Sequence, residues 1–344
     1  MENSKNVKLF WLKSIPFVLF VTVFLVFGFL SPNWFTVNNF ENIARQSSYI
    51  GILATGITFV MLTGGIDLSV GANMFLSSSV CGILISQGWP IWLALIVCLA
   101  IGCLYGVFNA FFVVRMRVMP FIVTLATMTA GRGLTLVITK SEAISMPGSL
   151  VSTIGSGKLF GVLPYPILIF AVVAAFGAVF LKFVPFGRKI YAVGHSKENA
   201  QKAGINVNRV LIFVYVLSGI LAALAGLVSV TQIGNINAGF GEGDEFDAIA
   251  ATILGGTSMM GGAGTVFPGA VIGTLLIQMI STGLVYMQVD LYIQPIISAL
   301  IILLAVFLDS MRSRYIRKLQ QRNIRVEEGP ALQTKKGRFM GQKG

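Results

Sequence analysis

Apolar residues run along this chain in blocks of roughly 20 positions, each long enough as a helix to cross about 30 Å of hydrocarbon. The blocks fall at residues 15–30, 46–63, 68–86, 91–114, 119–138, 165–184, 210–230, 247–260, 265–287 and 293–309. The first follows Lys5, Lys8 and Lys13 in the manner of a secretory signal. No small-x-small cleavage site succeeds it, and it ends at Ser31-Pro32-Asn33, so it reads as an uncleaved first span. Polar stretches at 31–44, 139–164 and 231–246 suit the outer face, the last carrying Glu242, Asp244 and Glu245. The short blocks 46–63 and 247–260 admit either a full crossing or a re-entrant, broken course. The pattern predicts an all-α polytopic membrane protein of about ten transmembrane segments, some of them short or broken.

Composition agrees with the pattern. Of 344 residues, 55% are hydrophobic and 11% charged, with 38 glycines and a mean hydropathy of +0.83. A soluble chain of this size carries about 25% charged residues, so the surplus apolar surface faces lipid. The net charge of +12 raises the question of nucleic acid, but 21 of the 25 Lys and Arg lie in four segments: 1–14, Arg115 with Arg117, 182–209 and 311–344. These segments share one face, which the positive-inside rule makes the cytoplasm. The charge therefore sets topology, with both termini cytoplasmic, and no nucleic-acid partner is implied. Three divisions follow: a cytoplasmic N-terminus (1–14), a transmembrane domain (15–310) with a cytoplasmic loop at 185–209, and a basic tail (311–344) suited to contact with membrane lipid.

The stretch 185–209, PFGRKIYAVGHSKENAQKAGINVNR, is a long, solvent-competent segment between two apolar runs. It contains a short helix with both ends marked. Ser196 is a candidate N-cap, and Gly204 is suited to the left-handed conformation that closes a helix. Ala200 and Ala203 lie three apart on one face. A helix this short does not hold its shape alone in water, so it needs a docking partner; it reads as a coupling helix through which the membrane domain is worked.

Residues 64–86 and 255–277 align without a gap, matching Gly64, Gly65, Gly71, Ala72, Val80, Gly82 and Leu84 with Gly255, Gly256, Gly262, Ala263, Val271, Gly273 and Leu275. Each copy has a short apolar segment, a glycine pair, an irregular link and a helix. Two readings stand together: broken helices that line a transport path, and glycines that let helices pack closely.

No catalytic chemistry is visible. Gly155-Ser156-Gly157-Lys158 lacks the hydroxyl residue and earlier glycine of a phosphate loop, and Gly261-Gly262-Ala263-Gly264 does not complete a dinucleotide fingerprint. Cys81, Cys98 and Cys103 lie in apolar spans and imply no disulfide framework. His195 has no partners at metal-ligand spacing. The chain is expected to bind no cofactor and to be no enzyme.

Three stretches carry a family resemblance: FVMLTGGIDLSVGANMFLS (59–77), GRKIYAVGHSKENAQKAGINVNRV (187–210) and EFDAIAATILGGTSMMGGAGTVFPGAVIG (245–273). In order and spacing, from about residue 40 to residue 310, the chain resembles the permease subunits of bacterial ribose-type, monosaccharide ABC importers. The resemblance implies a paired permease, as a homodimer or with a second permease chain, in the inner membrane. It also implies cytoplasmic ATPase subunits that use ATP and Mg, and a periplasmic sugar-binding protein that holds most of the selectivity. It assigns the coupling segment to 187–204, with Gly187, Arg188, Tyr191, Gly194, Ser196, Asn199, Ala200, Ala203 and Gly204 as its candidate residues. His195 departs from the pattern, standing where many relatives have a small residue, usually glycine.

Polar residues inside the spans have paired readings. Asp67 is either an ionic functional group or the cap of a helix starting at Leu68; Ser69 lies beside it, and Asp247 is a second candidate cap. Asn73, Asn109 and Gln278 suit either sugar hydroxyls or bridges between helices. Arg132 is expected to snorkel toward the outer surface. Two rivals to a monosaccharide remain in view: a permease for a nucleoside or another small polar solute, and a secondary transporter driven by an ion gradient. The latter would want paired intramembrane carboxylates, and Asp67 is the sole internal candidate away from a span end.

Overall fold

The computed structural model describes residues 15–300 except 32, 147 and 291, together with 303, 304 and 307. The N-terminal segment 1–14, the basic tail 311–344 and most of the last apolar block past residue 300 lie outside the described residues. The elements are α1 (Ile15–Leu30), α2 (Val37–Leu62), α3 (Val70–Ser86), α4 (Ile91–Ala110, continued by a π turn Phe111–Arg115), α5 (Pro120–Thr139), α6 (Tyr165–Phe183), α7 (Pro185–His195), α8 (Lys197–Lys202), α9 (Val207–Ile233), α10 (Asp244–Leu254) and α11 (Val271–Tyr286, entered through a π turn Val266–Ala270). Residues 294–300 are helical. Two two-residue antiparallel ladders, Ile144–Ser145 with Asn235–Ile236 and Lys158–Leu159 with Leu163–Pro164, stitch the connecting loops.

Five helical stretches, at residues 91–115, 120–139, 165–183, 207–233 and 266–286, are long and apolar enough to cross a membrane. The chain is thus an all-α, multi-pass membrane protein. α9 and α2 form its centre. Most of α2 is buried from Ser47 to Leu62, and α9 packs against α2, α3 and α4. Small residues bring α4 and α9 to backbone contact. A Cβ on Gly102 would lie 2.5 Å from the Gly219 carbonyl oxygen, and one on Gly106 would lie 2.4 Å from that of Tyr215. Close approach of this kind drives association where lipid removes any hydrophobic advantage.

Three expectations change. The block 46–63 is the greater part of one continuous helix of 26 residues, about 39 Å long, so it is not a broken or re-entrant segment. Its polar first turns, read as outer loop, are helical because Thr36 caps them: its Oγ1 accepts from the Asn39 N–H at 3.3 Å. By contrast α10, with 11 residues, extends about 16 Å, half a membrane; it starts at Asp244, inside the stretch read as loop. The ungapped repeat also fails in detail. Gly71 lies within α3, whereas Gly262 sits in the link before α11 with φ +72°. The second link is longer, so the shared plan of helix, glycine pair, link and helix survives without residue-by-residue correspondence.

Candidate coupling and translocation site

The first break follows α2. The N–H groups of Thr63 and Gly64 fold back onto the carbonyls of Val60 and Met61. Gly64, at φ +75°, takes a conformation that costs an L side chain energy. The chain then runs irregularly to α3, with Asp67 buried in the link. Asp67 Oδ1 accepts from the Ser69 N–H (3.0 Å) and Ser69 Oγ (2.6 Å), and its Oδ2 accepts from Ser218 Oγ of α9 (2.8 Å). The helix starts at Val70 and not at Leu68; Asp67 ties down the turn before it, and Ser69 occupies the cap position. From Ser69 the chain of bonds continues: Asn109 Nδ2 donates to Ser69 Oγ (2.7 Å) and Thr127 Oγ1 donates to Asn109 Oδ1 (2.8 Å). The link is therefore pinned to α4, α5 and α9.

The second break follows α10. Gly256, at φ +90°, turns the chain out of the helix after Gly255, which packs so closely on the next element that an added Cβ would lie 2.3 Å from the Gly269 carbonyl oxygen. A turn closes between Ser258 and Ala263 (N–H to O, 2.8 Å), and the Gly262 N–H reaches across to the Leu62 carbonyl at 2.9 Å. Leu62 is the last residue of α2, so one backbone hydrogen bond joins the two breaks.

The candidate coupling segment meets them at that bond. Gly194, in the last turn of α7, has no room for a side chain: a Cβ would lie 1.8 Å from the Leu62 carbonyl oxygen and 2.5 Å from the Gly262 nitrogen. Tyr191 Oη donates to the Gly264 carbonyl at 2.8 Å. Burial pushes the Tyr191 phenol above its ordinary value. His195 covers Gly262, where a Cβ would collide with its Nδ1. Gly187, at the other end of α7, rests on the carbonyls of Phe180 and Leu181 at the end of α6, while Arg188 is exposed.

α8 follows with both ends closed. Ser196 Oγ accepts from the Asn199 N–H at 3.2 Å. The Ile205 N–H bonds the Ala200 carbonyl and the Gly204 N–H bonds that of Gln201, with Gly204 at φ +78°; this is the paired C-terminal closure that favours glycine. Ala200 is buried, but Ala203 is exposed and serves as C-cap, so the two do not share a buried face. Nor does α8 stand alone: its apolar side rests on α7 and the start of α9. The surface it presents outward is polar, from Lys197, Glu198, Asn199, Gln201 and Lys202.

Other candidates are spread through the bundle. Asn73 Nδ2 donates to the Gly219 carbonyl (2.9 Å), and Gln278 Nε2 donates to Gln46 Oε1 (2.8 Å) and Thr282 Oγ1 (3.2 Å). In this arrangement Asn73, Asn109 and Gln278 all bridge helices. Asp247 lies four residues past the Gly243 cap of α10, inside its first turns, and is not a cap. Arg132 does not snorkel; it donates to the Gly241 carbonyl at 2.8 Å and holds the loop before α10. Sequence reasoning missed α7 as a helix. Its signals were Pro185 at the first helical position and the spacing of Phe186, Ile190 and Val193, the last two fully buried.

The arrangement defines a class: a polytopic transport protein in which two interrupted helices meet beneath a capped, solvent-facing helix pair. Residues 39–306 match the family described as branched-chain amino acid transport system / permease component. The chain belongs to this family and is a permease subunit of the ABC-importer type expected from its motifs. It is 39% identical over 305 residues to the ribose import permease protein RbsC of Haemophilus influenzae, covering 88% of this chain and 94% of that protein. With RbsC of Bacillus subtilis the identity is 40% over 302 residues (87% and 92% covered). With the xylose transport system permease protein XylH of Escherichia coli K12 it is 32% over an alignment of 371 positions, gaps included (88% and 94%). No solved structure matches the chain.

Proposed function

We propose that this chain carries a monosaccharide, a pentose or a hexose, inward across the bacterial inner membrane as the membrane-spanning subunit of an ATP-driven importer. Cytoplasmic ATPase subunits grip α7 and α8, a periplasmic sugar-binding protein delivers the substrate, and a second permease copy or a related chain completes the pore. The chain crosses the membrane about ten times with both termini in the cytoplasm. The observation that carries this reading is the seat of Gly194 on the hydrogen bond between Leu62 and Gly262. A push on the helix pair reaches both breaks at once, without any other element intervening. ATPase closure would then tip the two broken segments together between inward- and outward-open arrangements, a rigid-body coupling. The relatives named for ribose and xylose support the sugar class.

The test is uptake of labelled ribose, xylose and a nucleoside by cells lacking the chain and by the same cells resupplied with it. Restored, ATP-dependent uptake of a sugar supports the proposal. Restored uptake of the nucleoside alone, or uptake driven by an ion gradient with ATP depleted, would overturn it.

A further inference from the structure

One face of the bundle has a feature that transport does not use. Along α6 the small residues Ala171, Ala175 and Ala178 form a stripe between α2 and α11, bordered by the exposed Val179 and Phe267. Two cavities open on it. The first, about 600 Å³, is lined by apolar residues that include Phe170, Val271 and Leu275, and by Ser47, whose hydroxyl donates to the Ala44 carbonyl at 2.9 Å. The second, about 380 Å³, shares Ala178, Val179 and Phe267 with the first and adds Lys182 and Tyr191. Together they form one slot. From Ala171 to Lys182 it runs about 16 Å along the helix, close to one leaflet of a bilayer whose hydrocarbon is about 30 Å thick.

The slot is apolar along most of its length; in its inner cavity Thr265 Oγ1 accepts from the Gly269 N–H at 3.3 Å and Tyr191 Oη donates to the Gly264 carbonyl, and one cation, Lys182, lies at its end. Lys182 makes no ion pair among the described residues; its Nζ lies 5.2 Å from the centre of the Phe183 ring. We propose that the slot holds one acyl chain of an anionic phospholipid, with Lys182 against the headgroup phosphate. The assignment of that lipid to the cytoplasmic leaflet rests on the orientation proposed above. The lipid would touch Tyr191 at its inner end and so support α7 where it meets the second break.

The full-length chain, purified in detergent, is incubated with dioleoyl phosphatidylglycerol or dioleoyl phosphatidylcholine and examined by native mass spectrometry. One phosphatidylglycerol should be retained about fivefold more strongly than phosphatidylcholine, as expected for one lysine at an anionic surface. Lys182→Gln should remove that preference. Ala175→Leu with Ala178→Leu, at exposed and half-buried positions, should abolish retention of both lipids while elution and helical content stay unchanged. Undiminished phosphatidylglycerol binding by the filled variant would overturn the proposal. So would efficient cross-linking of two chains through Ala175→Cys, which would make the slot a subunit interface. Lipid retention by a chain that moves no sugar would refute the transport reading alone.

Discussion

Replacing Gly194 by alanine inserts one methyl group between α7 and the hydrogen bond that joins the two breaks. The new Cβ would lie 1.8 Å from the Leu62 oxygen and 2.5 Å from the Gly262 nitrogen. Both are backbone atoms, so neither can move aside as a flexible side chain would. α7 must lift away, or the Gly262–Leu62 bond must open. Overpacking of this kind costs about 1–3 kcal/mol, and a lost hydrogen bond about 0.5–1.5 kcal/mol. Both costs fall on the contact proposed to transmit movement. A coupling change of about 1–3 kcal/mol corresponds to roughly 5- to 150-fold, so stimulation of the ATPase by substrate-loaded binding protein should fall within that range. Basal ATPase activity and membrane insertion should persist. Gly133→Ala is the control, because a Cβ there meets nothing within 4 Å and the exchange favours the helix by about 1 kcal/mol. Transport by Gly194→Ala at the rate of the control would refute the reasoning.

Other perturbations separate the remaining contacts. Asp67→Asn keeps an acceptor for Ser69 and a donor for Ser218, so transport and melting temperature should stay near normal. Asp67→Ala strands those hydroxyls and should cost about 1–3 kcal/mol per unsatisfied buried group, read by thermal unfolding in detergent. Complete loss of transport by a stably folded Asp67→Asn would restore an ionic role for this carboxylate. Tyr191→Phe removes the bond to the Gly264 carbonyl and should lower coupled ATPase activity a few-fold, about 0.5–1.5 kcal/mol, without reducing expression; unchanged coupling would dismiss that bond. Gly204→Val forces a branched side chain to φ +78°, costing about 1–2 kcal/mol. Transport should drop while the chain still inserts, and wild-type transport would remove α8 from the coupling path.

The spans were legible because apolar blocks of membrane length are long and punctuated; observed ends at Leu30, Ser86, Phe183 and Tyr286 lie within a residue of the block ends. α8 was legible for a different reason, since Ser196 and Gly204 advertise its two ends chemically. α7 was not, because its signal is only three apolar residues and a proline within a basic stretch. The junction of the two breaks was invisible in principle. Leu62 and Gly262 meet through backbone atoms 200 positions apart, and such a bond imposes no side-chain pattern beyond the glycines it needs. The same glycines misled the repeat alignment, because Gly71 and Gly262 match as letters while one turns within a helix and the other within a loop. Polar residues such as Asn73 and Gln278 announced that they need partners but not whether helices or substrate supply them.

The central claim is that the α7–α8 pair is where the motor holds this permease. Its most direct test is gentle affinity purification of the tagged chain from native membranes, followed by identification of what copurifies. The account predicts that an ATPase subunit is recovered with the wild-type chain and lost when residues 196–204 are scrambled, the permease itself remaining inserted. A chain that purifies alone, and moves solute in vesicles under an ion gradient, would contradict it.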